Sequence, residues 1–356
     1  MASEKEIVYC TALELLYYNQ PRRIRGLIDA AGDVEKAWAM ADGNEKSSIL
    51  DRAKKEMEFV QRHGIQTYFY RETSYPQRLV ECTDAPVLLF GKGNIDANKG
   101  KFVSIVGTRG ASDRGKELTR KLVLDLAKRI PNLTIVSGLA FGIDVAAHKA
   151  ALEAGIPTII IPAHGLDRIY PSQHRNIAVA ALEQGGILTE YPSGLEPDKL
   201  NFVLRNRIIA GLADAVVVTE SKQKGGSLIT ARVALDYGRN VYAVPGRPSD
   251  ITAQGCNGLI RSGRAMLIET AEDLINDMGW TSQASAVQTT LEGLFTDLSE
   301  EEQQVMQILS TNEDGVHVNS IVEQTGKAYS EIATTLMMLE MNGLVHALPG
   351  DVYRKV

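Results

Sequence analysis

Short apolar runs alternate with helical stretches between Phe102 and about Asp277. Seven runs of four or five residues predict strands: FVSIV, LTIVS, PTIII, GGILT, AVVVT, NVYAV and AMLI. Helical stretches of about ten residues or more separate most of them. Strands that are apolar on both faces and joined by helices form parallel sheets with helices on both sides. The pattern therefore predicts an α/β fold with a doubly wound, mostly parallel sheet.

The two ends of the chain show helical periodicity instead. Residues 1–65 predict a small helical domain of the SAM or helix-hairpin-helix type, and 66–280 form the α/β domain. The PRRIRG segment is either a DNA-contacting turn or an exposed basic helix start. A polar stretch at 281–294 predicts a linker, and 295–356 show three amphipathic helices followed by two short strands. That order predicts a C-terminal winged-helix domain.

The charge is distributed unevenly along the chain. The whole chain has a net charge of -6, but residues 101–280 carry +3 and residues 295–356 carry -7. An apolar share of 44% with 23% charged residues is typical of soluble globular proteins. The chain has no signal-peptide pattern and no apolar run of membrane-spanning length, so we expect a cytoplasmic protein without a membrane partner. The three cysteines lie far apart and predict neither a disulfide framework nor a metal site.

The loop after the first of these strands, IVGTRGASDRG, has the composition of an anion-binding turn. Gly107 and Gly110 allow a tight turn, with Thr108 and Arg109 between them, and Ser112 can cap the next helix. The start of that helix offers N–H groups to an anion beside Arg109. The loop lacks GxGxxG, so it favours a phosphate over a dinucleotide. A structural turn with a solvent-facing arginine is the alternative.

The loops after the second and third strands add further candidates. Phe141 lies in the second loop, and Asp144 and His148 follow four residues apart on one helix face, where a structural hydrogen bond is favoured over catalysis or metal binding. The third loop carries polar and aromatic residues that could stack a base or meet a phosphate: Arg168, Tyr170 and Arg175. A polar loop that closes the sheet edge is the alternative for this segment.

The segment NFVLRNRIIAGLADAVVVTE places Arg205, Asn206 and Arg207 at the start of an apolar helix. Unpaired guanidiniums are costly to bury, and the nearby upstream carboxylates that could pair with them are Glu196 and Asp198. We therefore expect phosphates to be the partners of these arginines, with two alternatives open at this point: both arginines contact a phosphate, or one braces the loop for the other.

The next loop, TESKQKGGSLITAR, provides a second anion cradle. Its candidates are two lysines and the residues of a helix start: Lys222, Lys224, Gly226, Ser227 and Thr230. No P-loop, HExxH or GxSxG motif occurs. The sequence thus predicts binding loops without a catalytic set, a metal or a cofactor.

These motifs occur together in one known family. GTRGAS, SGLAFGIDVAAHKAAL, GLDRIYP, GILTEYPSG, FVLRNRIIAGLADAVVVTES and GGSLITARVALDYGRNVYAVPG resemble, in order and spacing, the DNA-processing protein A family, also called Smf. The resemblance covers about residues 70–275. It implies an extended Rossmann-like domain, and the helical start and winged-helix end agree with the family's three-part plan.

The resemblance implies a homodimeric protein that is not an enzyme. It implies binding to single-stranded DNA and help in loading a RecA-type recombinase onto incoming DNA during natural transformation. Matched by position, Gly107 to Arg109 correspond to the family's phosphate loop, Phe202 to Arg207 to its FPxRNR stretch, and Gly226, Ser227 and Thr230 to its glycine-serine helix start.

The chain departs from the family pattern at three positions. Val203 replaces a usual proline, Phe141 stands where a polar or basic residue is common, and Arg175 occupies a usual asparagine position. These departures affect the stiffness of one loop and the DNA contacts expected of the other two residues.

Two other functions are weighed against DNA binding in the central domain. A nucleotide-binding enzyme or nucleotide glycoside hydrolase shares this kind of sheet, but GGSLITAR lacks the glutamate that such an enzyme uses. A winged-helix regulator should have a basic recognition helix, whereas SEIATTLMMLEMNG contains no Lys or Arg. That helix favours protein contact or packing within a dimer.

Overall fold

The computed structural model describes residues 2–280, 299–310, 312, 315–341, 344–348 and 350–355. The chain divides into two units, Met1–Ser282 and Gln283–Val356, and each is described by itself. The predicted linker at 281–294 lies outside the described residues. No described helix combines the length and apolar composition needed to cross a membrane.

A nine-stranded sheet lies at the centre of the described part of the first unit. Its strands are β1 (Gln66–Phe69), β2 (Leu88–Gly93), β3 (Lys101–Val106), β4 (Leu133–Ser137), β5 (Thr158–Ile160), β6 (Gly185–Thr189), β7 (Ala215–Val218), β8 (Asn240–Ala243) and β9 (Met266–Leu267). The seven predicted strands correspond to β3 to β9, and all pairings among them are parallel. The antiparallel strands β1 and β2 extend the sheet beyond β6.

The strand order β1-β2-β6-β5-β4-β3-β7-β8-β9 changes direction between β3 and β7. From β3 the chain builds outward through β4, β5 and β6, and then returns to place β7 on the other side of β3. The helices that leave β3 and β7 therefore depart on opposite sides and open a crevice at the carboxyl ends of these strands. In doubly wound sheets, ligands bind at such a point.

Helices cover both faces of the sheet. They are α1 (Glu4–Leu16), α2 (Pro21–Ala31), α3 (Val34–Met40), α4 (Lys46–Arg62), α5 (Gln77–Val80), α6 (Asp113–Arg129), α7 (Ile143–Glu153), α8 (Arg175–Gln184), α9 (Lys199–Gly211), α10 (Ser227–Asp236), α11 (Gln254–Arg261) and α12 (Ala271–Asp277). One core cluster joins the sheet to α6, α7 and α12, a second joins it to α9, α10 and α11, and a smaller cluster joins β5 and β6 to α8. Alternate residues of β3 enter opposite clusters, with Val103 and Ile105 in one and Phe102 and Val106 in the other. The period of two is that of a strand buried on both faces.

The four N-terminal helices pack on the antiparallel edge of the same sheet. Their core cluster includes Phe69, Leu88 and Phe90 from the strands together with Leu13 and Ile28 from the helices. A capping box between Ser3 and Glu6 begins α1. The N-terminal helices and the sheet thus share buried apolar surface within the first unit.

The second unit has winged-helix order. Its elements are α13 (Glu300–Ser310), β10 (Val316–His317), α14 (Val318–Thr325), α15 (Tyr329–Met341), β11 (Val345–Leu348) and β12 (Val352–Lys355), and its sheet order is β10-β12-β11. Val305, Ile321 and Leu336 are buried at the centre. The described strands are three rather than the two predicted, because β10 is only two residues long. The predicted fold class is confirmed, including the winged helix.

Candidate nucleic-acid interface

A cavity opens at the carboxyl ends of β3 and β7, where the strand order changes direction. Its volume is about 700 Å³. Twelve of the predicted site residues line it: Gly107, Thr108, Arg109, Gly110, Tyr170, Arg205, Asn206, Lys222, Lys224, Gly226, Ser227 and Thr230. The topology brings these residues together from three separate loops and from the helices α9 and α10.

The charged side chains that line this cavity are mostly basic. Among the described residues of its wall, five are basic and one is acidic: Arg109, Lys199, Arg205, Lys222 and Lys224 against Asp144. An excess of fixed positive charge in a concave site attracts anions. The arrangement therefore fits a polyanion.

The loop after β3 places Arg109 at the edge of the cavity. The Thr108 N–H donates to the Glu220 carbonyl at 2.8 Å and ties this loop to the end of β7. Arg109 is exposed, and its guanidinium carbon lies 5.0 Å from the centroid of the Phe202 ring. Arg109 can thus meet a ligand without leaving a buried partner.

The amino end of α6 differs from the expectation of an anion site. Ser112 caps the helix by accepting from the Gly115 N–H at 2.9 Å, and the Ser112 N–H donates to a Glu220 carboxylate oxygen at 2.9 Å. Thr252 Oγ1 also donates to Glu220, at 3.2 Å. A carboxylate from the chain itself occupies the position predicted for an external anion, and the sequence analysis missed it because Glu220 is over 100 residues away.

The helix α9 begins earlier than predicted and presents one face to the cavity. It starts at Lys199, capped by Asp198, so the RNR segment lies inside the helix rather than at its start. Its cavity-lining residues Phe202, Arg205, Asn206 and Ile209 follow the spacing of a single helix face. Lys199 is therefore an addition to the predicted site residues, whereas Phe202 belongs to the stretch that the family resemblance had already indicated.

Arg205 forms part of the cavity wall from a buried position. The residue is 4% exposed, and Nη1 donates to the Ile161 carbonyl oxygen. Its Nε is buried and has no hydrogen-bond partner among the described residues. Burial lowers the pKa of this guanidinium from its ordinary value. Arg205 thus contributes a largely buried positive charge to the cavity wall.

Gly138 allows Arg205 and Asp144 to approach each other. A Cβ at position 138 would lie 2.3 Å from Asp144 Oδ2 and 2.7 Å from Arg205 Nη1. Burial raises the pKa of the Asp144 carboxyl, and the nearby Arg205 opposes that rise. Asp144 therefore offsets part of the charge of Arg205.

Arg207 does not line the cavity. Its two terminal nitrogens donate to the two carboxylate oxygens of Glu190 at 2.7 and 2.6 Å, and both side chains are about one-tenth exposed. Burial lowers the pKa of Arg207, but the Glu190 carboxylate more than compensates and raises it. In this structure the partner of Arg207 is therefore a carboxylate instead of the expected phosphate, which agrees with the alternative that one arginine braces the segment. Arg207 follows Arg205 by two residues, which is a rotation of about 200° around the helix axis, so the two side chains leave α9 on different faces.

The loop after β7 contributes its lysines as exposed groups and its hydroxyls as buried ones. Lys222 and Lys224 are exposed at the cavity wall. Ser227 Oγ donates to Ser221 Oγ at 2.9 Å, and Thr230 is 1% exposed. The lysines can reach a ligand, whereas the two hydroxyls serve first to shape the start of α10.

The loop after β5 contributes one aromatic ring to the cavity. The Tyr170 side chain is half exposed, and its ring centroid lies 5.9 Å from that of Phe202. Two aromatic rings at the opening, with Arg109 above one of them, provide surfaces on which planar groups can stack.

Besides Arg207, three predicted residues lie outside this cavity: Phe141, Arg168 and Arg175. Phe141 is half exposed in a neighbouring groove that Arg109 also lines, and its ring contacts that of His174. Arg168 forms ion pairs with Asp167 and Glu196. Arg175 lines a separate pocket. The structure thus collects most, but not all, of the predicted residues around one opening.

The predicted hydrogen bond between Asp144 and His148 is replaced by other contacts. His148 Nδ1 lies 2.7 Å from Thr158 Oγ1, and Asp144 Oδ2 accepts from the Ala140 N–H at 3.4 Å. Burial lowers the pKa of His148 to about 4. Among the described residues, no three His, Cys, Asp or Glu side chains are grouped as a metal site requires.

Comparison with known proteins identifies the family of the chain. Residues 66–279 match the family of the DNA recombination-mediator protein A, and residues 295–351 match the DprA winged helix domain. The DNA processing protein DprA of Streptococcus pneumoniae is 38% identical over 263 residues, 74% of this chain and 91% of that protein. Its X-ray structure superposes with a TM-score of 0.67 at 33% identity and covers 78% of this chain and 98% of that one.

A second solved structure, of DNA processing protein A from Helicobacter pylori, has a TM-score of 0.55 at 30% identity. It covers 61% of this chain and 96% of that one, and it concerns the single-stranded DNA binding mode of the Helicobacter protein. The family match spans more than half of the chain, and it includes the strands and loops that form the cavity. This chain belongs to the DNA recombination-mediator protein A family, also called DprA or Smf.

Proposed function

We propose that this protein binds single-stranded DNA in the cavity between β3 and β7. The observation that carries the proposal is the combination of five basic side chains with the Tyr170 and Phe202 rings around one opening. Single-strand binding needs positive charge for the phosphates and aromatic surfaces for the bases. The single-stranded DNA binding mode described for the Helicobacter pylori relative supports the same choice.

A single strand fits the cavity better than a duplex does. The basic residues line a concave opening rather than a broad exposed face. Stacking on Tyr170 or Phe202 requires bases that are free of their pairing partners, and each stacked base contributes about 1–3 kcal/mol. We therefore expect binding with little dependence on base sequence and with strong dependence on salt.

The test is filter binding of a labelled oligothymidylate over a range of salt concentrations. Arg109→Ala should weaken binding and lower the slope of log affinity against log salt by about 0.7, the share of one phosphate on a single strand. Arg129→Ala is the matched control because Arg129 pairs with Glu272 on the surface and does not line the cavity. An unchanged slope in the Arg109 variant would count against this DNA site.

The proposal includes help in loading a RecA-type recombinase onto incoming DNA during natural transformation, by a homodimer in the cytoplasm. Family membership supports this part. Gel shifts on single- and double-stranded DNA, with and without recombinase, should show a complex containing both proteins on single strands only. Mass measurement in solution should give a dimer. Failure to form the joint complex, with DNA binding intact, would refute the loading role alone.

The proposal excludes nucleotide hydrolysis. Asp144 is the one carboxylate among the described residues that line the cavity, and it is buried close to Arg205. An acid or base for glycoside cleavage has to reach the bond that is broken. Incubation with nucleoside monophosphates should release no free base, and measurable release would favour the enzyme alternative.

The winged helix is proposed to contact protein rather than to read DNA. Residues 295–356 carry a net charge of -7, and the exposed apolar side chains among the described residues of α15 include Tyr329, Met337 and Met338. Phosphates repel a negative surface, whereas exposed methionine and tyrosine favour protein interfaces.

A further inference from the structure

A second pocket lies where the end of α4, β2 and α8 meet, and it contains Arg175. Its volume is about 250 Å³. The floor is aliphatic, with Ile65, Leu166, Ile169, Leu182 and Ile187. Val179 at its side is half exposed. An apolar pocket of this size can hold one large side chain, but it is smaller than most sites for small-molecule ligands.

The polar groups around this pocket are cationic or neutral. Lys92, Arg175 and His63 line it, and no acidic side chain is among its described lining residues. Lys92 is held in place because Nζ donates to the His63 carbonyl and to the Gly64 carbonyl, the latter at 3.3 Å. The Lys92 ammonium is thus fixed beside an aliphatic floor, with the Arg175 guanidinium also at the pocket.

We infer that this pocket binds an acidic peptide segment of a partner protein that inserts one large apolar side chain. The aliphatic floor takes the side chain, and Lys92 and Arg175 pair with carboxylates on either side of it. Charge complementarity selects the acidic peptide, because a basic segment would bring like charges together. The inference does not depend on DNA binding in the cavity between β3 and β7.

Nucleic acid fits this pocket poorly. Base stacking needs exposed aromatic faces, and the floor consists of aliphatic branched side chains. The cavity between β3 and β7 offers Tyr170 and Phe202 for that purpose, and Arg175 is not part of its wall. Arg175 is therefore assigned to a protein contact instead of the DNA contact expected from the sequence.

The experiment measures fluorescence anisotropy of a labelled peptide, Glu-Asp-Asp-Glu-Leu-Phe, titrated with the full chain. Two control peptides replace Leu-Phe by Ser-Ser or the four acidic residues by lysines. The probe should bind, and both controls should bind at least about tenfold more weakly, since each loses a major part of the contact. No binding of the probe, or equal binding of the Ser-Ser control, would overturn the inference.

Two variants locate the site on the protein. Arg175→Glu and Val179→Glu should each weaken peptide binding by at least about tenfold. Arg175→Glu removes a charge-assisted contact, and Val179→Glu places a carboxylate in the apolar pocket. Both side chains are exposed, so the fold should persist, as circular dichroism can verify. Lys121→Glu, an exposed site on α6 with the same change of charge, should bind the peptide normally.

The same variants separate the peptide pocket from the DNA site. Arg175→Glu should keep oligothymidylate binding close to that of Lys121→Glu. If Arg175→Glu loses DNA binding and keeps peptide binding, Arg175 is a DNA contact and the pocket assignment is wrong. If DNA binding fails in the unaltered protein while the peptide binds, the proposed DNA function fails and the pocket inference stands.

Discussion

Replacing Arg207 by methionine should destabilise the first unit without changing the DNA site. Arg207 and Glu190 form a buried pair with two hydrogen bonds of 2.7 and 2.6 Å. Glu14 lies close by; burial raises its pKa well above the usual value, and the Glu190 charge adds to that rise. In Arg207→Met, Glu190 keeps its buried position but loses its counter-charge. Removal of one partner from a buried pair costs about 3–5 kcal/mol.

Tryptophan fluorescence in a urea titration measures this loss. The chain has two tryptophans, Trp38 and Trp280, and both lie in the first unit, so the signal is free of the winged helix. The midpoint should shift to lower urea while the slope of free energy against urea stays constant. The salt slope of DNA binding, measured below the unfolding range, should equal that of the unaltered protein because Arg207 lines no part of the cavity.

A double variant tests the cause. Arg207→Met combined with Glu190→Met removes both charges, and replacement of a buried pair by apolar groups is often neutral or stabilising. The double variant should therefore recover most of the lost stability. If it is as unstable as the sum of the two single variants, the stranded charge is not the cause and the argument is refuted.

Three further outcomes are expected. The pKa of His148 is about 4 in the folded protein and near 6.5 in the unfolded chain, so the unfolded chain binds a proton more readily. Acidification from pH 6.5 to 4 should therefore lower the free energy of unfolding by up to about 3 kcal/mol. Urea titrations of His148→Gln should lack that part of the pH dependence. In Gly107→Ala the new Cβ would lie 2.3 Å from Ile143 Cγ1, so the free energy of unfolding should fall by about 1–3 kcal/mol and DNA binding should weaken. Gly110→Ala is the control, because a Cβ at position 110 meets open space and should change neither property. Equal effects of the two variants would refute the packing argument. Deletion of residues 290–356 should leave most single-strand affinity intact in filter binding, and a collapse of binding would instead assign DNA contact to the winged helix.

The architecture could be predicted because the apolar pattern of each strand is local and the alternation of strands and helices is regular. Seven apolar runs became seven parallel strands, and the reversal of order at β3 and β7 places their following loops side by side. Loops that carry Arg109, Lys222 and Lys224 then share one cavity by geometry alone. The strongest part of the site prediction depended on the sheet, not on any single residue.

Partners outside the local sequence segment explain the differences from the prediction. Nothing in the RNR segment shows that Glu190, at the end of β6, reaches Arg207 but not Arg205. If Asp198 had been recognised as the helix cap, both arginines would have been predicted to lie inside α9, on different faces of the helix. Glu220 was missed at the start of α6 for the same reason, since its carboxylate comes from the loop after β7, a strand that joins the sheet much later in the chain.

Glu220 also limits where a phosphate chain can run. A Cβ on Gly115 would lie 2.3 Å from the carboxylate carbon of Glu220, so this acidic group is packed directly against the first turn of α6. A phosphate that moved from Arg109 toward α6 would meet a fixed negative charge instead of free N–H groups. The lysines after β7 and the cavity face of α9 lie among the residues that line the opening. In the proposed DNA complex, this one-sided electrostatic barrier would direct a strand held at Arg109 toward α9 and α10.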